Sequence, residues 1–475
     1  MDAKNQKVNI ILGCLLAGMI GWLVYSYCIA PLSVEHGYYV TAAKLWAQGM
    51  TPWKDFSIHD APGGIALLGT MYRMVGIEMS SYAASALILL LHLGCVALLG
   101  GIMRKIGMSM TSVLFGLLLY VAVLFSSDAL MMNMEPVSTF LILCTVRELL
   151  SGSRKGIAAA GLLFALAVTC KLQALIFLPV LYMVFSVVRK KEESSGSLIR
   201  FFSFCTLGAL VVMYAVVALS CGDALWVASV EWTNLEKVEK KDVYAFLINL
   251  VILTARCGIF FLLLFPFVRK ELDNSEKSLL KIGLSAYVVI CLLFILKCDM
   301  AYGLMAYPFV TLSVVVVLQH VRKEKLMAAV AVAMLVIPVA LAVREFRKLD
   351  FGKIKQEQME EIETVRMVVQ DCKNALLLCN DCHEFDLGPQ IFAEIPQLRP
   401  VNLKNSRFGM EQSFSEFGDF KQAINDADCI ILSSITLQFV FSKEIQYLDE
   451  IVDYMENMSS ASLTILKRTE DTPEL

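Results

Sequence analysis

Residues 34–64 read VEHGYYVTAAKLWAQGMTPWKDFSIHDAPGG, a polar and aromatic stretch set between long apolar blocks. Within 37–48, Tyr38, Ala42, Leu45 and Trp46 fall on one side at helical spacing, while Thr41, Lys44 and Gln48 lie elsewhere on the wheel. That spacing predicts a helix lying in a membrane interface, with Trp and Tyr at headgroup level. Gly49 is positioned to stop it. Glu35 stands just before its first turn, directly after an apolar block, which anchors a carboxylate at the membrane surface. Asp55, His59 and Asp60 follow on the return, before Pro62-Gly63-Gly64 breaks the chain.

The flanking blocks decide the fold class. Of 475 residues 57% are hydrophobic and 18% charged, against about 25% charged in soluble domains. The apolar excess runs in blocks to about residue 343 and then stops. An ordinary soluble enzyme and a disordered chain are thereby excluded. A net charge of −3 with no basic patch speaks against a nucleic-acid partner. Residues 344–475 hold 14 Lys+Arg against 24 Asp+Glu, a net of −10, which leaves 27 against 20, or +7, for residues 1–343. Two bodies are expected: a basic apolar one, 1–343, and an acidic water-soluble one, 344–475.

A helix crosses the hydrocarbon core with roughly 20 apolar residues, or somewhat fewer where the bilayer thins. Such spans are expected near 8–30, 82–103, 110–126, 134–150, 157–168, 173–188, 201–220, 246–268, 280–296, 301–320 and 326–343, eleven in all. The first is too long for a signal peptide and lacks a cleavage site after it. With the N-terminus inside, 18 loop and flanking cations fall on the cytoplasmic face and 8 on the other. The positive-inside rule therefore sets the N-terminus in the cytoplasm. An odd count puts the acidic tail outside; one miscounted span would put it inside. The loops 31–81 and 221–245 and the tail would face outward, in a multi-pass protein of the cytoplasmic or plasma membrane.

The order of residues in the first loop resembles the first outer loop of the GT-C class of membrane glycosyltransferases, the group of protein O-mannosyltransferases and the lipid A aminoarabinose transferase. The matching residues are Glu35, Tyr38-Tyr39, Ala42-Ala43-Lys44-Leu45, Gly49, Pro52-Trp53-Lys54-Asp55 and His59-Asp60-Ala61-Pro62. Two positions depart from the pattern: His36 replaces the second acid of the usual pair, and Ala61 precedes the final Pro. The resemblance covers the loop and the general layout of 1–343, not the tail. It implies a polytopic α-helical fold and inverting transfer of a hexosyl or pentosyl unit from a polyprenyl-phosphate carrier. The acceptor would be a glycan, lipid or protein. The carrier and membrane lipids would be the partners.

Such chemistry needs a base for the acceptor hydroxyl and cations for the departing phosphate. Glu35 is the candidate base, with Asp55 assisting; a purely structural reading makes Glu35 a carboxylate favoured at a helix start and Asp55 a turn former. His36, His59 and Asp60 are candidate substrate contacts, and no Ser or Cys stands ready to form a triad with the last two. No residue is assigned to a metal and no cofactor is required, although a divalent cation stays open.

Ionisable residues inside the apolar blocks are the other signals. Lys171, in AVTCKLQALIFLP, stands between two short spans. The resemblance gives it a place near the donor phosphate, and the alternative is snorkelling. Glu135, before Pro136 at the start of the fourth span, faces the site by resemblance, or serves as a helix-start carboxylate. Arg256, two turns after Asn249, reads as an internal pairing before a phosphate contact. Tyr302 opens YGLMAYP, which is similar to a late R-Y-x-x-x-x-x-P element without its Arg. It is a further substrate-contact candidate, although Tyr302 and Tyr307 read first as an aromatic belt.

Of 14 Cys, ten lie in 1–343; the tail holds Cys372, Cys379, Cys382 and Cys429. A lone C-x-x-C is too little for zinc, and a disulfide or buried thiols stand as the alternatives. The tail reads as a small α/β layer, with helices at 356–370, 416–427 and 442–457 and strands at 375–379, 429–433 and 463–466. Two other functions remain: a secondary transporter, which would want internal repeats and helices broken near the midplane, and a non-catalytic glycan assembly or export protein.

Overall fold

The structure is a computed structural model, and it describes residues 3–31, 34–49, 61–75, 81–125, 134–185, 187, 195–221, 250–251, 272–297, 303–320, 336, 339–340, 343, 351–379, 395, 398–402, 425–433, 455–457 and 463–468. Helices fill the apolar part: α1 (Ala3–Ile29), α2 (Val34–Ala47), α3 (Pro62–Val75), α4 (Ser81–Lys105), α5 (Met110–Val123), α6 (Glu135–Leu149), α7 (Arg154–Cys170), a 3-10 turn η1 (Leu172–Phe177), α8 (Leu178–Val184), α9 (Ser195–Cys221), α10 (Asn274–Lys297) and α11 (Gly303–Gln319). Each occupies an expected span except α2 and α3, which belong to the first loop. The expected spans at 246–268 and 326–343 lie almost wholly outside the described residues, as do Arg256 and Asn249. Among the described residues α1, α4 and α9 contain stretches both long and apolar enough to cross a bilayer.

Apolar side chains meet in one core that runs through these helices. Its centre is α11, buried from Gly303 to Leu318, which no amphipathic helix could tolerate. Tyr307 is 2% exposed there, so it is a core residue and not part of an aromatic belt.

Polar contacts show which helix ends share a face. Thr111 Oγ1 donates to Asn9 Oδ1 (2.8 Å), tying the starts of α1 and α5. Lys105 Nζ donates to the Arg147 carbonyl (3.3 Å), tying the ends of α4 and α6. His320, just past α11, meets Glu276 of the first turn of α10 at 2.7 Å. The ends expected to lie together thus do, on the face that carries most of the basic residues.

Beyond the spans, α12 (Phe351–Val369) leads into a five-stranded sheet of order β2-β1-β3-β5-β4. The strands are β1 (Ala375–Cys379), β2 (Leu398–Asn402), β3 (Cys429–Ser433), β4 (Met455–Asn457) and β5 (Leu463–Arg468). β1 pairs in parallel with β2 and β3, while β5 runs antiparallel to both β3 and β4. Two strands escape the sequence reading: β2 carries Pro400, and β4 is only three residues long. The end of the helix expected at 442–457 is instead β4, whose pairing with β5 overrides a weak local pattern. The helix expected at 416–427 lies mostly outside the described residues.

Candidate functional site

The site starts from the break in α7. Thr169 Oγ1 donates to the Leu166 carbonyl (2.8 Å), and the helix ends at Cys170. Lys171 is extended, with φ −151 and ψ 111, and its amide still reaches the Ala167 carbonyl. The chain then tightens into η1 and restarts as α8 with Pro179 in its first turn. Lys171 is thereby held at the C-terminal end of α7, where a cation is favoured by the helix dipole.

Its partner comes from the opposite kind of helix end. Glu135 opens α6, followed by Pro136 in the first turn. The Lys171 Nζ lies 3.3 Å from Glu135 Oε1, with the side chains 11% and 2% exposed. Ser138 Oγ donates to the Ala167 carbonyl (3.2 Å) and locks α6 to α7 one turn below the pair. An ion pair this dry carries a desolvation penalty of several kcal/mol per charge before their attraction offsets it.

The first loop returns onto the same spot. Pro62-Gly63-Gly64 does not simply break the chain as the sequence suggests; Pro62 begins α3, since a proline at the first helical position loses no hydrogen bond. A Cβ on Gly63 would stand 2.6 Å from the Thr169 carbonyl oxygen, and one on Gly64 would collide with the Met134 side chain. Thr169 and Met134 are the near neighbours of Lys171 and Glu135. The two glycines therefore let the start of α3 pack closely against the residues that flank the pair in sequence.

Helix α2 carries Glu35 in its first turn and ends as expected at Gly49, whose φ is +94. Protein covers more of α2 than the pattern of an interfacial helix suggested. His36, Thr41 and Lys44 are buried (1%, 0% and 7% exposed), along with Tyr39, Val40, Ala42 and Ala43. Leu45 packs against the apolar core beneath the C-terminal sheet. The wheel of 37–48 showed one apolar side, but Tyr39, Val40, Ala42 and Ala43 are all taken into the core of the helical body. Burial pushes His36 down to about 3, so it is neutral at physiological pH. Where the resembling family has a second acid, this chain therefore presents an uncharged imidazole.

Arg73 of α3 clamps the far end of α2, donating from Nε to the Ala47 carbonyl and from Nη2 to the Trp46 carbonyl, both 3.1 Å. Arg73 and the buried Lys44 were not among the candidate site residues. Lys44 gave no local sign of burial, and the contacts of Arg73 span 26 and 27 residues. The structure brings together Glu135, Lys171 and the start of α3, and it fixes the backbone that bears Glu35 and His36. Asp55, His59, Asp60 and Tyr302 lie outside the described residues. Among the described residues no cluster of His, Cys, Asp and Glu could hold a metal ion.

The helical body has a GT-C-like membrane-protein fold. Solved structures with a similar fold include ArnT from Cupriavidus metallidurans and an oligosaccharyltransferase. ArnT bound to undecaprenyl phosphate matches with a TM-score of 0.66 and 12% identity, covering 99% of both chains. Its apo state matches at 0.63 and 11%, covering 98% of both. The Archaeoglobus fulgidus oligosaccharyltransferase, in complex with Zn and sulfate, matches at 0.52 and 11%, over 98% of this chain and 74% of that one. Neither a protein-family model nor the sequence of a curated protein matches the chain.

Proposed function

We propose that the protein is a membrane glycosyltransferase that moves a sugar from a polyprenyl-phosphate carrier to an acceptor at the outer face of the membrane. The observation that carries this reading is the buried Lys171–Glu135 pair with the start of α3 packed beside it, in a fold shared with a protein solved bound to undecaprenyl phosphate. The break at Lys171 lies level with the first residue of α6, at one face of the body. That placement disfavours a transporter, which would break its helices near the midplane.

In this mechanism the acceptor hydroxyl gives its proton to Glu35. Its oxygen attacks the anomeric carbon of the donor sugar. The carbon–oxygen bond to phosphate breaks, and that electron pair leaves with the polyprenyl phosphate. Attack opposite the leaving group inverts the anomeric carbon. Lys171 supplies positive charge to the departing phosphate, Glu135 holds and orients the ammonium, and neutral His36 avoids adding repulsion. Asp55, His59, Asp60 and Tyr302 complete the substrate contacts. Residues 1–343 form the transferase body, and 344–475 form an extracytoplasmic cap. The N-terminus is inside, as the distribution of loop cations favours.

The test is transfer by the purified protein from radiolabelled polyprenyl-phosphate sugars. Glu35→Gln should lose about 100-fold or more in rate, the scale of a missing general base. Normal transfer by that variant would remove Glu35 from the mechanism. If the wild type turned over none of the donors, the reading as a binding or assembly protein would take its place.

A further inference from the structure

We propose that Lys355, in the first turns of α12, is a positioning residue that fixes the α1–α2 junction and with it the backbone that presents Glu35. The proposal rests on the transferase reading above and adds a role for the C-terminal layer within it.

Helix α1 ends at Ile29 and α2 begins at Val34. The last carbonyls of any helix lack partners within it, and a nearby cation is favoured there by the dipole. Lys355 Nζ donates to the Cys28 carbonyl, a contact between residues 327 apart in sequence. The ammonium is drawn in from solvent to do so, and burial lowers its pKa from the usual lysine value. Charge is thus partly desolvated at one carbonyl, on the helix end that leads into Glu35.

The rest of α12 makes this contact rigid. Gln358 is 3% exposed and Ile362, Val365 and Val369 are buried, so Lys355 and these four lie on one stripe at helical spacing. The last three share a core with Ala375, Ile395, Cys429 and Ile431, and Leu45 of α2 packs against that same core. The layer therefore holds the start of α2 through the α1 terminus and the end of α2 through Leu45. Removing the donor would leave the fold standing and loosen one end of the helix that carries the base. Misplacing a base by a fraction of an ångström acts on turnover more than on donor binding.

The experiment compares Lys355→Met, which keeps the aliphatic stem, with Lys355→Arg, which keeps a donor, and with Met359→Ala on the exposed side of α12. Hydrogen exchange of the α2 amides is measured alongside transfer kinetics. Lys355→Met should lower kcat about tenfold with KM for the donor within about twofold, the effect of about 1.4 kcal/mol of lost positioning. It should also speed exchange at the start of α2. Lys355→Arg should recover both, and Met359→Ala should match the wild type. Wild-type kcat in Lys355→Met, or unchanged α2 exchange, would overturn the proposal. Absence of turnover in the wild type would sink the transferase reading instead, while α2 exchange would still decide whether Lys355 fixes the junction.

Discussion

At the scale of single residues, the Lys171–Glu135 pair has to be separated from a purely structural salt bridge. Removing one partner of a buried pair leaves an uncompensated charge and costs about 3–5 kcal/mol, whereas removing both is often close to neutral. Glu135→Gln and Lys171→Met should therefore each lower the melting temperature in detergent, and the double variant should recover most of that loss. Activity should not recover with it: the double variant should stay at least about 100-fold down, because the phosphate has lost its cation. Recovery of both quantities together would make the pair structural only. His36 gives a second handle. Its folded pKa of about 3 lies below the unfolded value near 6.5, so between these the unfolded chain takes up a proton that the folded one refuses. Stability is complete above pH 6.5 and falls as pH drops towards 3, by about 2–3 kcal/mol between pH 7 and 4.5. Denaturant melts across this range should show that slope in the wild type and lose it in His36→Gln; an equal slope in both would show that His36 does not set it.

Helix α3 is where the element scale matters, since a single missing Cβ decides whether it can pack against Thr169, beside the ion pair. At Gly63 the obstructing atom is the Thr169 carbonyl oxygen, and backbone cannot swing aside as a side chain can. Gly63→Ala should cost about 1–3 kcal/mol, the usual scale of overpacking, and should depress transfer as α3 lifts. Gly101→Ala, at a helical site with nothing within 4 Å, should melt no lower than wild type. Equal melting of the two variants would show that the approach of α3 is not tight. This element also marks the limit of what the sequence disclosed. Local patterns were enough for the long apolar helices, for the stop at Gly49, for the break at Lys171 and for three of the five strands. Lys171 and Glu135 stood out because charge is rare in apolar blocks. Their being partners was not visible, because 36 residues and two helix ends separate them. Pro62-Gly63-Gly64 looked like a breaker because what it touches belongs to other helices. The burial of α2 was hidden for the same reason, since it packs into the core of the helical body, against α3, and through Leu45 against a layer more than 300 positions away.

For the whole molecule the question is which side the C-terminal layer occupies. Lys355 reaches the C-terminal end of α1 and Leu45 meets the layer's core, so the layer lies on the face of the first loop. The opposite face gathers Lys105, Arg147 and the starts of α1 and α5, as a cytoplasmic face should. Chemistry within the layer offers a test of the proposed outward placement. Cys372 at the end of α12 and Cys429 in β3 are joined by a disulfide across 57 residues, a bond that persists in oxidising compartments and seldom in the cytosol. Closing a loop of that length restricts the unfolded layer by about 4 kcal/mol in the chain-entropy estimate. In intact cells these two thiols should resist a membrane-impermeant maleimide until a reductant is added, and an externally added protease should reach the layer without lysis. Cys372→Ser should then melt the layer at lower temperature while α1 to α11 keep their helical signal. No labelling of either cysteine even after reductant, with protection from external protease, would place the layer inside. The reading of an outward-facing cap over a lipid-linked donor would then fail as a whole, whatever the residues beneath it do.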